Sequence, residues 1–131
     1  MAKRYFTLDE ANSLLPYIRE ELGFMQSKKS ELLRTYKELQ TLKQRRLAPG
    51  ELIDEVIFKL ECSLDFMQME IQMHLQTLHD KGIQVKDLDI GLIDFPAVID
   101  GKEVLLCWKQ GEESITHYHG EQDGFLGRKP L

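Results

Sequence analysis

The sequence has few cysteines and no long run of apolar residues. Its two cysteines, Cys62 and Cys107, are far apart in the chain and form no Cys-x-x-Cys motif, which argues against a disulfide framework or a zinc-binding pair. Apolar runs extend over only a few residues, whereas a helix that crosses a bilayer needs about 20. No signal-peptide core follows the first residues. We therefore expect a cytoplasmic protein with reduced, partly buried thiols.

The sequence also lacks an excess of positive charge. The formal net charge is -5, which favours neither nucleic acid nor an anionic membrane as a partner. The basic cluster Lys43-Gln44-Arg45-Arg46 has no interleaved aromatic residue, and we interpret it as a solvated helix end. A Gly-rich phosphate loop and a Gly-x-Ser-x-Gly motif are both missing from the sequence. With no catalytic constellation in the sequence, we favour a non-enzymatic protein.

The first half of the chain shows helical periodicity. Thr7 and Glu10 form a capping box, in which each residue can satisfy the other's backbone N–H. Apolar residues then recur at alternating spacings of three and four, which predicts a helix over 8–46. Pro16 lacks an N–H and crowds the preceding turn, so it predicts either a kink or a short helix to Leu15 with a fresh start at Pro16.

A second helix is predicted over 51–81, after a turn at Leu47-Ala48-Pro49-Gly50. Its apolar residues again alternate at spacings of three and four, and Gly82 is placed to end it in a left-handed conformation. Two long helices joined by a short turn predict an antiparallel hairpin.

A further apolar stripe on the second helix lies roughly opposite its first stripe. A helix that is apolar on two faces needs two partners. The first helix supplies one, and the other is either the sheet or a second copy of the chain. We expect a homodimer, most simply an antiparallel four-helix bundle, with the hairpin also available to a protein partner. The predicted interface residues are Phe58, Phe66, Met69 and Met73.

Beyond Gly82 the pattern changes to alternation, which predicts a β-meander over 83–119. We expect a three-stranded antiparallel sheet, and leave residues 83–86 as either a short strand or a bridging segment. Pro96 is expected to confine its strand to a sheet edge, and Asp100-Gly101 predicts a two-residue hairpin. The predicted fold is α+β, a single domain over 1–131, with strands over 92–99, 102–109 and 114–119.

The predicted hairpin places Asp94 opposite Cys107. Because side chains alternate faces along a strand, Trp108 then lies on the other face. We expect His117 and His119 to share the face of Trp108. Such an arrangement separates Cys107 from both histidines and argues against a Cys–His nucleophile.

His117-Tyr118-His119 is a metal-like spacing, since a His-x-His on a strand points two imidazoles the same way. A site would need a third ligand, for which the sequence offers His74, His79, Glu121 or Asp123. In the alternative interpretation one histidine packs beside Trp108 and the other is solvated. We predict no cofactor, and keep a divalent metal at His117 and His119 as the alternative.

The C-terminal tail, residues 120–131, carries Phe125, Leu126 and Leu131 between glycines. A floppy terminus is usually polar, so we expect this tail to dock against the body of the protein. We expect Arg128 to form a structural salt bridge with Asp94 or a helix carboxylate. The alternative is that its guanidinium binds a carboxylate or phosphate ligand.

Several stretches together form a specific combination of motifs: Phe6–Asn12 with Leu14-Leu15-Pro16, Val85–Asp89, Gly91–Ala97, Val104–Trp108, Gly111-Glu112, His119, Gly124-Phe125, Gly127-Arg128 and Pro130. The combination resembles the bacterial family catalogued as domain of unknown function 2203. The resemblance implies a small cytosolic protein with a helical hairpin, a β-meander and no established activity. The matching motif positions of greatest interest are Asp94, Trp108, His119, Phe125 and Arg128.

Two functions from different classes remain. The first is a non-enzymatic dimeric interaction or regulatory module, which depends on the two-faced second helix. The alternative is a small-molecule or metal-binding protein, or an enzyme, with a ligand site where the sheet meets the tail. Its candidate residues are Asp94, Trp108, His119, Phe125 and Arg128.

Overall fold

A computed structural model of the protein describes residues 4–46 and 52–131. The helices are α1 (Leu8–Ser13), α2 (Leu15–Arg45) and α3 (Leu52–Asp80), and the strands are β1 (Gln84–Asp87), β2 (Leu92–Ile99), β3 (Lys102–Lys109), β4 (His117–His119) and β5 (Lys129–Pro130). The fold is α+β, as predicted. The chain divides into two compact units, Phe24–His74 and the segments Met1–Gly23 with Leu75–Leu131. The prediction of a single domain stays a prediction.

The predicted capping box is present at the start of α1. The Thr7 hydroxyl accepts from the Glu10 backbone N–H at 3.1 Å, and the Thr7 N–H donates to the Glu10 carboxylate at 3.3 Å. The helix breaks at Leu14 and α2 begins at Leu15. The break comes just before Pro16, as the missing N–H and the bulky ring of proline require, so the predicted interruption is confirmed.

Gly82 ends α3 in the predicted left-handed conformation, with φ of 88°. The Gly82 N–H donates to the His79 carbonyl at 2.9 Å, and the Ile83 N–H donates to the Leu78 carbonyl at 3.0 Å. This pair of bonds is the Schellman motif, which satisfies carbonyls that the helix end would leave unpaired. The chain can therefore turn sharply from α3 into the sheet.

The unit Phe24–His74 contains the antiparallel pair of α2 and α3. Lys28 lies 3.7 Å from Glu70, and Arg46 lies 2.6 Å from Asp54, so later positions on α2 meet earlier positions on α3. The predicted turn at Leu47–Gly50 lies outside the described residues. Among the described helices, none is long and apolar enough to cross a membrane. Where the two helices pack together, they bury a cluster of apolar side chains: Leu39, Ile57, Leu64 and Met67, with Leu32, Leu42, Ile53 and Leu60 packed against it.

The sheet has the order β1-β2-β3-β4-β5, with every neighbouring pair antiparallel. The hairpin between β2 and β3 is as predicted, with positive φ at both Asp100 and Gly101 and with Asp94 opposite Cys107. The three-stranded prediction is wrong in detail. Residues 84–87 form a paired strand, the predicted strand over 114–119 is regular only over 117–119, and the tail adds β5.

β2 is an internal strand, so the prediction that Pro96 confines it to a sheet edge is wrong. β1 pairs with β2 only alongside Leu92, Ile93 and Asp94, and Pro96 lies beyond that pairing. The Pro96 carbonyl accepts from the Phe6 N–H at 2.7 Å. Because the N and O of one strand residue point to the same side, the missing proline N–H faces the side where β1 is no longer paired. A proline is tolerated there without loss of a ladder bond.

One face of the sheet packs against the N-terminal segment within its own unit. Phe6 and Phe95 stack edge to face with ring centroids 5.3 Å apart. The Arg19 guanidinium lies 5.7 Å from the centre of the Trp108 ring. This face is the apolar core of the unit, and it leaves the opposite face of β2 and β3 to be covered by something else.

Candidate functional site

Three buried side chains of different chemistry meet on that opposite face. Asp94 on β2 is paired with Cys107 on β3, and Cys107 is paired in turn with His117 on β4. Since paired residues share a face and alternate residues return to it, His119 lies on this face as well. The prediction that both histidines share the face of Trp108, away from Cys107, is wrong.

The error has a physical origin in the connection between β3 and β4. The chain turns after β3, where the Glu112 N–H donates to the Lys109 carbonyl at 3.0 Å, but the connection is longer than a hairpin turn, because seven residues, 110–116, separate the two strands. Within this segment the Ile115 N–H donates to the Asn12 side-chain oxygen at 2.8 Å. The backbone is therefore held by α1 before it rejoins the sheet, and the register of β4 is offset by one residue from the expected hairpin.

Asp94, Cys107 and His119 each offer one ligand atom, and these three atoms lie within 4.8 Å of one another. All three residues are nearly inaccessible, with 1–3% of their surface exposed. The His119 Nε2 lies 3.0 Å from the Asp94 Oδ2. We refer to these three residues as the buried cluster.

The backbone of the tail orients the His119 ring. Its Nδ1 lies 2.8 Å from the Gly120 carbonyl oxygen. A carbonyl oxygen can only accept, so Nδ1 carries the hydrogen and donates it. The ring therefore presents Nε2 to Asp94, and a single proton between Nε2 and Oδ2 completes that contact.

Burial raises the pKa values of the other two members of the buried cluster. It raises the pKa of the Asp94 carboxyl, and the neighbouring His119 and Lys86 act in the opposite direction. Burial, with a further contribution from Asp94, raises the pKa of the Cys107 thiol to about 11. Without a bound cation, Cys107 is therefore a thiol near neutral pH.

A small cavity of about 180 Å³ opens directly onto the buried cluster. The tail docks against the body of the protein, because β5 pairs with β4 and the Leu131 N–H donates to the Thr116 carbonyl at 2.9 Å. The predicted docking of the tail is thus observed. Besides the three cluster residues, the cavity is lined by Lys86, Leu92, Gly124 and Phe125.

Arg128 fastens the tail beside the buried cluster. Its guanidinium binds the Glu112 carboxylate through two contacts, of 3.2 and 2.6 Å, and lies 4.7 Å from the centre of the Phe125 ring. Its Nη1 is also 4.0 Å from the Cys107 Sγ. The salt bridge was predicted, but its partner is Glu112 in the β3–β4 connection, not Asp94 or a helix carboxylate.

The remaining predicted site residues are placed elsewhere. Trp108 is buried in the core on the opposite face of the sheet, where its indole N–H donates to the Glu112 carbonyl at 2.9 Å. His117 shares the face of the cluster, but its Nδ1 contacts the Thr116 hydroxyl at 2.8 Å, and it is not one of the three clustered ligands. The suggested third ligands His74, His79, Glu121 and Asp123 are not in the cluster either.

Sequence reasoning missed Cys107 and Lys86 as site residues. The signal for Cys107 was present, because a strand aspartate was already paired with it in the predicted hairpin. Cys107 was excluded because the prediction placed the two histidines on the wrong face of the sheet. Lys86 had no distinguishing signal in the sequence. It lies where the pairing of β1 with β2 is irregular, between Val85 and Asp87, and a local pattern does not predict such an irregularity.

A second candidate surface lies on α3 within the unit Phe24–His74. The four residues predicted to form a dimer interface, Phe58, Phe66, Met69 and Met73, are each 60–67% exposed among the described residues. Cys62, which lies on the same stripe, is exposed, whereas Cys107 is buried, and neither is in a disulfide. The stripe is therefore a row of large, exposed apolar side chains along α3.

The chain belongs to the family described as "Uncharacterized conserved protein (DUF2203)", which matches residues 4–131. The resemblance drawn from the sequence motifs is thereby confirmed. Neither the comparison with curated proteins nor the comparison with solved structures gives a match.

Proposed function

We propose that this member of the DUF2203 family is a cytoplasmic, non-enzymatic dimeric interaction module, in which two copies pair through the exposed apolar stripe of α3. The observation that carries the proposal is the exposure of Phe58, Phe66, Met69 and Met73. Contiguous exposed apolar surface of this kind marks interaction sites in soluble proteins. Protein partners would bind the helical hairpin of the dimer.

The residues around the stripe support an interface in preference to a solvated face. From Phe66 to Thr77, around the C-terminal part of the stripe, Glu70 is the only Asp, Glu, Lys or Arg in the sequence. Depletion of charge with enrichment of Phe and Met is the composition of interface cores. The remaining polar residues of this stretch, which are glutamines, one histidine and Thr77, carry no formal charge, so pairing two copies does not bring like charges together.

The area of the stripe is sufficient for a dimer. A large side chain carries roughly 200 Å² of surface, so four of them, exposed by 60–67%, offer about 500 Å² per copy. A two-fold interface uses the same patch on both copies, which gives about 1,000 Å² in total. That value reaches the lower limit for a specific protein–protein interface. We therefore propose that the stripe binds a second copy of the chain.

The test is the mass of the full chain in solution, measured by light scattering after size exclusion. We expect about twice the chain mass of 15.3 kDa for the wild-type protein, and the single-chain mass for the double variant Phe66→Glu with Met69→Glu. Both positions are exposed, so the substitutions leave the fold intact, and circular dichroism checks this.

Gln68→Glu is the matched control. It adds one negative charge between the two substituted positions, half the charge of the double variant, but lies about 100° or more around the helix from either of them. We expect this variant to remain dimeric. A wild-type protein that is monomeric up to about 100 μM, a concentration far above a micromolar dissociation constant, would refute the proposal.

A second candidate function is supported by a separate observation, the buried cluster of Asp94, Cys107 and His119 at a small cavity. It is the binding of a metal ion or small molecule where the sheet meets the tail. The two functions are compatible, because the stripe and the cluster belong to different compact units. Neither one assigns a reaction.

A further inference from the structure

We propose that Asp94, Cys107 and His119 bind a zinc ion, with a fourth coordination position that faces the adjoining cavity. The three donors come from β2, β3 and the end of β4, so the strand register itself brings them together. Their ligand atoms lie within 4.8 Å of one another. Ligand atoms around a tetrahedral zinc are about 3.3–3.8 Å apart, so side-chain rotations can close the remaining gap.

The donor set selects zinc over other common cations. Mg²⁺ and Ca²⁺ take oxygen ligands almost exclusively and do not favour a thiolate. Cu(I) favours soft sulfur ligands, and a carboxylate is a hard one. Zinc accepts sulfur, nitrogen and oxygen together, and binds three protein side chains with one open position in sites of the catalytic type.

The orientation of His119 is the one that a metal ligand requires. The Gly120 carbonyl accepts from Nδ1, which leaves Nε2 directed at the Asp94 carboxylate. Histidines that bind metals almost always donate their other ring N–H to a carbonyl or carboxylate in this way. The arrangement presents Nε2 whether a proton or a metal ion lies beyond it.

Charge balance also favours a divalent cation at this buried position. One carboxylate and one thiolate together neutralise Zn²⁺, so the occupied site carries no net charge in an interior that penalises unpaired charge. On binding, the metal replaces the proton between Nε2 and Oδ2 and the proton of the Cys107 thiol, and both protons leave to solvent. Arg128, 4.0 Å from the Cys107 Sγ, is placed to stabilise the thiolate.

The cavity limits what can occupy the fourth position. Its volume of about 180 Å³ is well below the 300–1,000 Å³ of typical sites for larger ligands. It has room for a few water molecules or one small anion, next to Lys86. We therefore assign the fourth position to water or a small anionic ligand.

Cobalt provides a direct test, because Co²⁺ substitutes for zinc and its spectrum reports both tetrahedral geometry and sulfur ligation. Co²⁺ is added to the chelator-treated full-length protein. We expect visible bands of tetrahedral Co²⁺ and a near-ultraviolet charge-transfer band from sulfur, both displaced by one equivalent of Zn²⁺. Cys62→Ser is the matched control, because it leaves Cys107 as the sole thiol.

In the Cys62→Ser protein the charge-transfer band must persist, since its sulfur can then come only from Cys107. Cys107→Ser must lose that band and must bind zinc at least about 100-fold more weakly. A loss of that size exceeds the effect of replacing a residue that only supports a metal ligand. His119→Gln must also lose binding, whereas His117→Gln on the same strand must retain it.

The proposal is overturned if Co²⁺ gives no tetrahedral spectrum with the wild-type protein, or if the sulfur band disappears in Cys62→Ser. It is equally overturned if His117→Gln abolishes binding. The measurements on the wild-type, Cys62→Ser and His117→Gln proteins do not depend on whether variants at the buried positions fold. The dimer test is read from molecular mass alone, so the two proposals fail independently.

Discussion

Replacing Glu112 by glutamine should loosen the attachment of the C-terminal tail while preserving the shape of the side chain. Glu112 binds the Arg128 guanidinium through two contacts, of 3.2 and 2.6 Å, and also accepts from the Lys109 backbone N–H at 2.7 Å. The two charged side chains are 25% and 17% exposed. Hydrogen bonds to charged groups contribute about 1.5–3 kcal/mol when buried, and surface ion pairs about 0–1. For this partly buried pair we expect Glu112→Gln to cost about 1–2 kcal/mol of folding stability near pH 7.

The effect should depend on pH in a defined direction. The hydrogen bond from Arg128 is the main reason that the pKa of Glu112 lies below its usual value. A carboxyl whose pKa is lowered by folding stabilises the folded state above its unfolded pKa, and that contribution is lost as the pH falls through the folded pKa. The difference in stability between wild type and Glu112→Gln should therefore be full near pH 7 and shrink in acid, below about pH 4.

Thermal unfolding followed by circular dichroism, at several values from about pH 7 to about pH 3, measures this difference. For a chain of this length we expect a decrease in Tm of roughly 4–8 °C near neutral pH. Glu113→Gln, at the next and exposed position, is the matched control and should change Tm little. A pH-independent difference for Glu112→Gln, or an equal effect of Glu113→Gln, would refute the reasoning.

Two further predictions concern glycine and leucine positions whose environments differ. Gly82 has φ of 88°, and an added Cβ would lie 3.1 Å from the Arg4 Cβ, so Gly82→Ala should destabilise by about 1–2 kcal/mol. Gly23 lies inside α2 with open space around it, so Gly23→Ala should instead stabilise the protein by about 0.5–1 kcal/mol. Urea unfolding compares the two variants, and a change of the same sign in both would contradict the argument. Leu39 is 3% exposed and Leu33 is 51% exposed. Leu39→Ala should therefore lower the free energy of unfolding by about 2–5 kcal/mol, and Leu33→Ala should change it little. If urea unfolding shows a loss for Leu39→Ala as small as that for Leu33→Ala, Leu39 is not a core residue.

The parts of the fold that could be predicted from the sequence are those set by neighbouring residues. The capping box at Thr7 and Glu10, the helix end at Gly82 and the hairpin at Asp100-Gly101 each depend on a few consecutive residues. All three are present in the structure. The long helices were also predictable, because their apolar periodicity repeats over many turns. The strand β5 was not, since two residues, Lys129 and Pro130, carry no period, and their pairing depends on where β4 lies.

The buried cluster was half predictable, for a reason that lies in strand geometry. The cross-strand pair of Asp94 and Cys107 follows from a two-residue turn and was predicted. The position of His119 follows from the register of β4, and a change of one residue in register moves every side chain of a strand to the other face. That register is constrained by the hydrogen bond between Ile115 and Asn12, residues 103 positions apart in the chain. A local pattern cannot report a contact of that span. The histidine therefore joins the aspartate and the cysteine only through the tertiary packing of α1 against the chain before β4.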